Sequence, residues 1–200
     1  MLTRRSLLLM PLAAAAAAAL PLTDASAADA AAAFIEQTGK DLIGIVNGAA
    51  PAAQKQADLQ KVIDRVVDVD AVAQFCLGRF WRTATPAQQQ QYLQLFHRVL
   101  LKNITGKLGE FQGVTFMLGR SLPRDPDVGV TTVISRPNAA SANVEWVVSM
   151  SSGSPRIVDV VAEGTSLRLT QRSDYASYLT HNNSNLDSLL AAMKQQVQAG

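Results

Sequence analysis

The sequence predicts an α+β fold, with helices at both ends of the chain and an antiparallel sheet between them. Three observations predict it. Apolar residues recur every three or four positions through the first half of the chain. From about Gly113 they fall on every second residue instead, in short runs parted by turns. The helical period then returns after Arg172. Helices segregated from a block of strands mark this class rather than a βαβ alternation.

The elements follow in order. Arg4 and Arg5 precede an apolar run from Leu7 to Leu22, broken by Pro11 and Pro21, and Ala25-Ser26-Ala27 follows. Positive start, apolar middle and A-x-A end read as a secretory signal peptide over residues 1–27. The run falls short of the roughly 20 residues that a membrane span needs. Thr3-Arg4-Arg5-Ser6-Leu7-Leu8 also resembles a twin-arginine export signal. Residues 28–200 are then expected to form one domain.

Ala28 to Asn47 reads as a helix with Phe34, Ile35, Thr38, Leu42, Ile45 and Val46 on its stripe. Ala52 to Val67 reads as a second, with Leu59, Val62, Ile63 and Val66 aligned. A short helix from Val69 should stop at Gly78. Thr85-Pro86-Ala87-Gln88 spells a capping box with proline at the first helical position. The helix behind it is expected to run to about Leu108, with Leu93, Phe96, Leu100, Leu101, Ile104 and Leu108 on one face.

Strands are expected at Val114–Leu118, Val130–Ile134, Val144–Met150, Ile157–Ala162 and Ser166–Gln171. Short links such as Glu163-Gly164 argue for a meander. Both faces of the central strands are apolar, as at Trp146, Val147 and Val148. Both should therefore be covered, one of them by the long helix. Two last helices are expected over Arg172–Thr180 and Ser184–Val197, split by His181-Asn182-Asn183.

Composition excludes several functions. Without residues 1–27 the chain carries 16 basic and 15 acidic residues. There is no basic excess for nucleic acid and no polybasic run for an anionic membrane. The single cysteine, Cys76, sits in Phe75-Cys76-Leu77 and reads as a buried small hydrophobe. The two histidines, His97 and His181, fall in no metal-ligand spacing. Gly164-Thr165-Ser166 lacks the second glycine of a nucleophile elbow, because Arg168 stands there. Asp159 with His97 is the one acid–base pair to weigh, and an enzyme would need both in one pocket. The plain reading of Asp159 is an acid on a solvated face or one paired with an arginine such as Arg172.

A linear set of motifs remains. Leu77-Gly78-Arg79-Phe80-Trp81-Arg82 precedes the Thr85-Pro86 helix. Ile157-Val158-Asp159-Val160-Val161-Ala162-Glu163-Gly164-Thr165-Ser166-Leu167 follows, then Gln171-Arg172-Ser173-Asp174-Tyr175, then Asn185-Leu186-Asp187-Ser188-Leu189-Leu190. In this order, behind an export signal, the set resembles the MlaC (toluene-tolerance) family of periplasmic phospholipid-binding proteins, over about residues 30–197. The chain departs from the family pattern at Pro155-Arg156, where a tryptophan-lysine pair is usual. It departs again at Thr165, usually valine, and at Asn182-Asn183, where a glycine is common.

The resemblance implies a non-enzymatic lipid carrier without a cofactor, auxiliary to an ABC-type transporter. It implies that the carrier maintains outer-membrane lipid asymmetry. The cargo is a phospholipid, or a hopanoid as in one branch of the family. The implied partners are an inner-membrane ABC-type lipid transport complex and an outer-membrane lipoprotein–porin complex. An apolar cavity should lie between sheet and helices. Its candidate lining is Phe80, Trp81, Phe96, Leu100, Phe116, Val133, Trp146, Val148, Val158, Val160 and Leu167. Asp159, Glu163, Arg172 and Ser173 match the family pattern and are read as structural, forming a turn, a helix cap and a charge pair.

Overall fold

The computed structural model describes residues 22–106, 111–137 and 139–199. The fold is α+β, as the sequence predicts. Helices α1 (Leu22–Asn47), α2 (Ala52–Val66), α3 (Val69–Leu77) and α4 (Pro86–Thr105) come first, with a 3₁₀ turn at Gly78–Arg82. Strands β1 (Thr115–Arg124), β2 (Asp127–Ser135), β3 (Ala142–Ser149), β4 (Arg156–Ala162) and β5 (Thr165–Ser166) follow. Helices α5 (Leu167–His181) and α6 (Leu186–Gln198) close the chain. The strands form one antiparallel sheet in sequence order.

Local chemistry sets most of the boundaries. Asp68 caps α3 by accepting from the Ala71 N–H at 3.0 Å. Gly78 ends that helix at φ +59, a backbone angle that suits glycine. Thr85 and Gln88 form the capping box at α4, with Pro86 at its start. α2 buries Leu59, Val62, Ile63 and Val66, the stripe that its spacing predicts. The Arg156 guanidinium donates to the carbonyls of Asp64 and Arg65, so β4 caps the end of α2.

Four expectations are corrected. Ser166–Gln171 is not a strand. β5 ends at Ser166, whose hydroxyl accepts from the Leu169 N–H at 3.1 Å and starts α5. The helix therefore begins at Leu167 rather than at Arg172, and its cap is Ser166 rather than Ser173. The long helix does not cover the sheet. α4 buries Tyr92, Leu95, Phe96 and Val99, a stripe offset from the expected one, and packs on α6 and α3. Ile104 of the expected stripe is exposed, and Leu108 lies outside the described residues. Finally, α1 extends back to Leu22, past the expected start at Ala28.

The interior divides into two apolar clusters. One is helical: Leu77, Phe80, Tyr92, Phe96, Leu179 and Leu190 are among its buried members. Tyr92, Phe96 and Tyr175 meet there with ring centroids 5.8–6.5 Å apart. The other joins the sheet to α1 and α2. Ala31, Ile35, Val62 and Val66 pack on Val130, Val148 and Ile157.

Candidate functional site

The second cluster is the candidate site. Register places Phe116, Val130, Trp146, Val148 and Val160 on one face of the sheet. A bulge at β3–β4 lets Val148 pair with Ile157 while Val147 pairs with Asp159 on the reverse face. α1 crosses the apolar face through small residues. Ala31 is fully buried. Gly39 admits the Phe116 ring, whose Cζ would stand 2.4 Å from an added Cβ. The Trp146 indole N–H donates to the Thr132 hydroxyl at 2.9 Å, and that hydroxyl donates to the Val144 carbonyl at 3.3 Å. With its polar atom satisfied inside the sheet, the indole serves as an apolar wall.

The polar ties between α1 and the sheet lie at Ala28, two turns into the helix, and at Asn47, its last residue. Ser121 Oγ donates to the Ala28 carbonyl at 3.2 Å. At the end of the helix Asn47 Nδ2 donates to the Val114 carbonyl at 3.2 Å and Asn47 Oδ1 accepts from the Gly113 N–H at 2.8 Å. Between these pins the buried residues of α1 are Ala31, Ile35, Thr38 and Val46, apolar except for Thr38. Apolar contact is non-directional and can be re-formed by another apolar body of suitable shape.

The candidate lining residues are distributed across the molecule. Phe116, Trp146, Val148 and Val160 lie together on the α1-facing side of the sheet. Phe80, Trp81, Phe96 and Leu100 belong to or pack against the helical cluster. Val133 pairs with Met117 and Asn143 on the opposite sheet face. Val158 is buried at the bulge of β4. Leu167 stands at the start of α5, 52% exposed. Ala31, Ile35, Val62 and Val66, absent from the candidate lining, cover this face of the sheet, a place the sequence reading gave to the long helix. Their stripe spacing on α1 and α2 was the available signal.

The polar candidates also resolve. Asp159 is buried on the reverse face. It accepts from the Val160 N–H at 2.8 Å, the Arg168 N–H at 3.1 Å and the Ser166 hydroxyl at 2.6 Å. Its ion-pair partner is Arg168 at 3.4 Å, not Arg172. Glu163 accepts from the Asn143 N–H at 2.5 Å across a turn in which it and Gly164 both have positive φ. His97 pairs with Asp64 at 2.6 Å, in an open polar cleft of about 450 Å³ shared with Asp68, Asp70 and Arg156. Asp159 and His97 thus have separate partners. Burial pushes the Cys76 thiol up to about 12, and the nearby Asp159 carboxylate acts in the same direction. Among the described residues there is no group of three or more metal-ligating side chains. None of the described helices is long and apolar enough to cross a membrane.

Comparison with solved structures finds the same fold in the phospholipid-binding protein from Ralstonia solanacearum, solved in complex with a phospholipid. The match has a TM-score of 0.74 at 20% sequence identity and covers 84% of this chain and 97% of that one. The family model described as MlaC protein matches residues 36–195. That span runs from α1 through the sheet and into α6, and the chain therefore belongs to the MlaC family.

Proposed function

We propose that this chain is a soluble periplasmic lipid carrier whose phospholipid cargo lies between α1–α2 and the sheet. Residues 1–27 direct export and are removed, leaving Ala28 as the first residue. The carrier exchanges lipid with an inner-membrane ABC-type transport complex and an outer-membrane lipoprotein–porin complex, and so maintains outer-membrane lipid asymmetry. It performs no reaction of its own.

The observation that carries this reading is the largely apolar interface of α1 with the sheet, tied by hydrogen bonds at Ala28 and Asn47. Each methylene moved from water into an apolar site contributes about 0.8 kcal/mol. Two acyl chains with roughly 30 methylenes therefore resist water by on the order of 20 kcal/mol. A carrier must shield most of that area. Wedging acyl chains between α1 and the sheet exchanges protein–protein apolar contact for protein–lipid contact, while the two pins hold the helix in register. The phospholipid-bound relative of the same fold supports this choice of cargo.

Native mass spectrometry of chain purified from a periplasmic extract tests the reading. A mature chain beginning at Ala28 with one co-purifying phospholipid is expected. A lipid-free mass, unchanged after incubation with phospholipid vesicles, overturns it.

A further inference from the structure

No run of basic residues exists in the sequence, yet the fold gathers arginines from two distant segments. Arg168 and Arg172 of α5 both lie over the Phe75 ring of α3, at 4.6 and 4.9 Å from its centroid. Arg172 also packs against Gly78, where an added Cβ would stand 3.2 Å from its Nε. Arg79 follows immediately and stacks on Phe80 at 4.9 Å. Arg79 and Arg82 are three apart in a 3₁₀ turn, where such positions eclipse. Asp159 balances Arg168. Arg79, Arg82 and Arg172 are exposed and form no ion pair among the described residues. The Glu163 carboxylate, at the turn leading into α5, is engaged by the Asn143 N–H.

Two large exposed apolar side chains flank Arg168 at the start of the same helix. Leu167 and Leu169, in the first turn of α5, are 52% and 57% exposed. Asp159 and Ser166 hold the N–H groups of Arg168 and Leu169, so the turn that presents both leucines is fixed in place. Exposed leucines in the first turn of a helix, with the unpaired Arg172 three residues after Leu169, match the layered chemistry of an anionic bilayer. Phosphates meet the guanidinium groups and the upper acyl region accepts the leucines.

From this we infer that the first turn of α5 and the neighbouring 3₁₀ turn form a docking surface for anionic phospholipid bilayers. The inference extends the carrier reading and is measured by a separate readout, vesicle binding rather than lipid loading.

The test is flotation of the mature chain with phosphatidylglycerol-containing vesicles, against vesicles of phosphatidylcholine alone. Binding to the anionic vesicles, weakened by added salt, is expected. Arg79→Glu with Arg82→Glu should lower it by about fivefold or more per arginine. Leu167→Ser with Leu169→Ser should lower it by about tenfold. The leucine pair already faces water, so that variant retains the fold, and circular dichroism checks both. Equal binding to neutral and anionic vesicles overturns the inference. So does binding that survives both double variants, or no vesicle binding at all, which would assign the patch to an acidic protein. A variant that keeps its lipid but no longer floats separates docking from carrying. A chain that floats but never holds lipid defeats the carrier reading and leaves the docking surface standing.

Discussion

Phe116 of β1 meets α1 at Gly39, and a methyl group added there would stand 2.4 Å from the ring's Cζ. This contact sets how closely α1 approaches the sheet. Gly39→Ala should force the ring or the helix to move, costing about 1–3 kcal/mol in denaturant unfolding. In a Phe116→Ala background the same change should cost clearly less. Equal costs in both backgrounds would mean that the ring yields freely.

Cargo loading should distinguish the two apolar clusters. Trp146→Arg puts a charge on the α1-facing side of the sheet and should strip the chain of phospholipid. Leu189→Ala, in the helical cluster, should lower stability by about 2–4 kcal/mol while leaving lipid per folded molecule unchanged. Solvent extraction of the purified variants reads both. Lipid lost from Leu189→Ala and kept by Trp146→Arg would move the cargo to the helical half.

The buried acid at Asp159 should matter for folding rather than chemistry. Asp159→Ala leaves the Arg168 guanidinium and two N–H groups without their partner, at a cost of about 3 kcal/mol. Thermal unfolding measures it. A variant as stable as the parent would show that Arg168 finds another partner.

Stability should fall in acid through Glu145. The Arg124 guanidinium meets both its oxygens at 2.6 Å and holds its carboxyl below the ordinary 4.5. A depressed carboxylate contributes its stability above the ordinary value and loses it as pH drops through the folded one. Asp41, held down by Arg65, acts in the same direction. Because Arg124 is half exposed, the Glu145 contribution is about 1 kcal/mol or less. Glu145→Gln should flatten that part of the acid limb in urea titrations run at stepped pH. An unchanged limb would assign it to other groups.

Cys76 should be inert in the folded chain. Its thiol is pushed up to about 12, so the reactive thiolate is scarce at neutral pH. Native labelling by a chromogenic disulfide should run on the order of a hundredfold slower than in denaturant. Comparable rates would mean that α3 opens readily.

Much of the fold was legible because its signals are local. The α2 stripe, the stop at Gly78 and the Thr85–Gln88 capping box each act within a few residues. Ser166–Gln171 was misread because Ser-Leu-Arg-Leu-Thr-Gln alternates like a strand. What makes it helical is partly remote, since Asp159 takes the Arg168 N–H from the neighbouring strand. Of the apolar cluster between α1 and the sheet, only the sheet side was legible. An apolar stripe tells a helix that it must be covered, not by what. α1 and α4 offered similar stripes, and Gly39 opposite Phe116 decided for α1 only once the chain had folded.

The division of the interior has a kinetic consequence. The helical cluster ties α3, α4, α5 and α6 together, whereas α1 leans on the sheet between two pins. In hydrogen-exchange terms these are different bodies. Amides in α4 and α6 are expected to exchange when the whole chain unfolds, and those in the middle of α1 through a smaller, separate opening. Bound lipid would slow the second class and leave the first at its own rate.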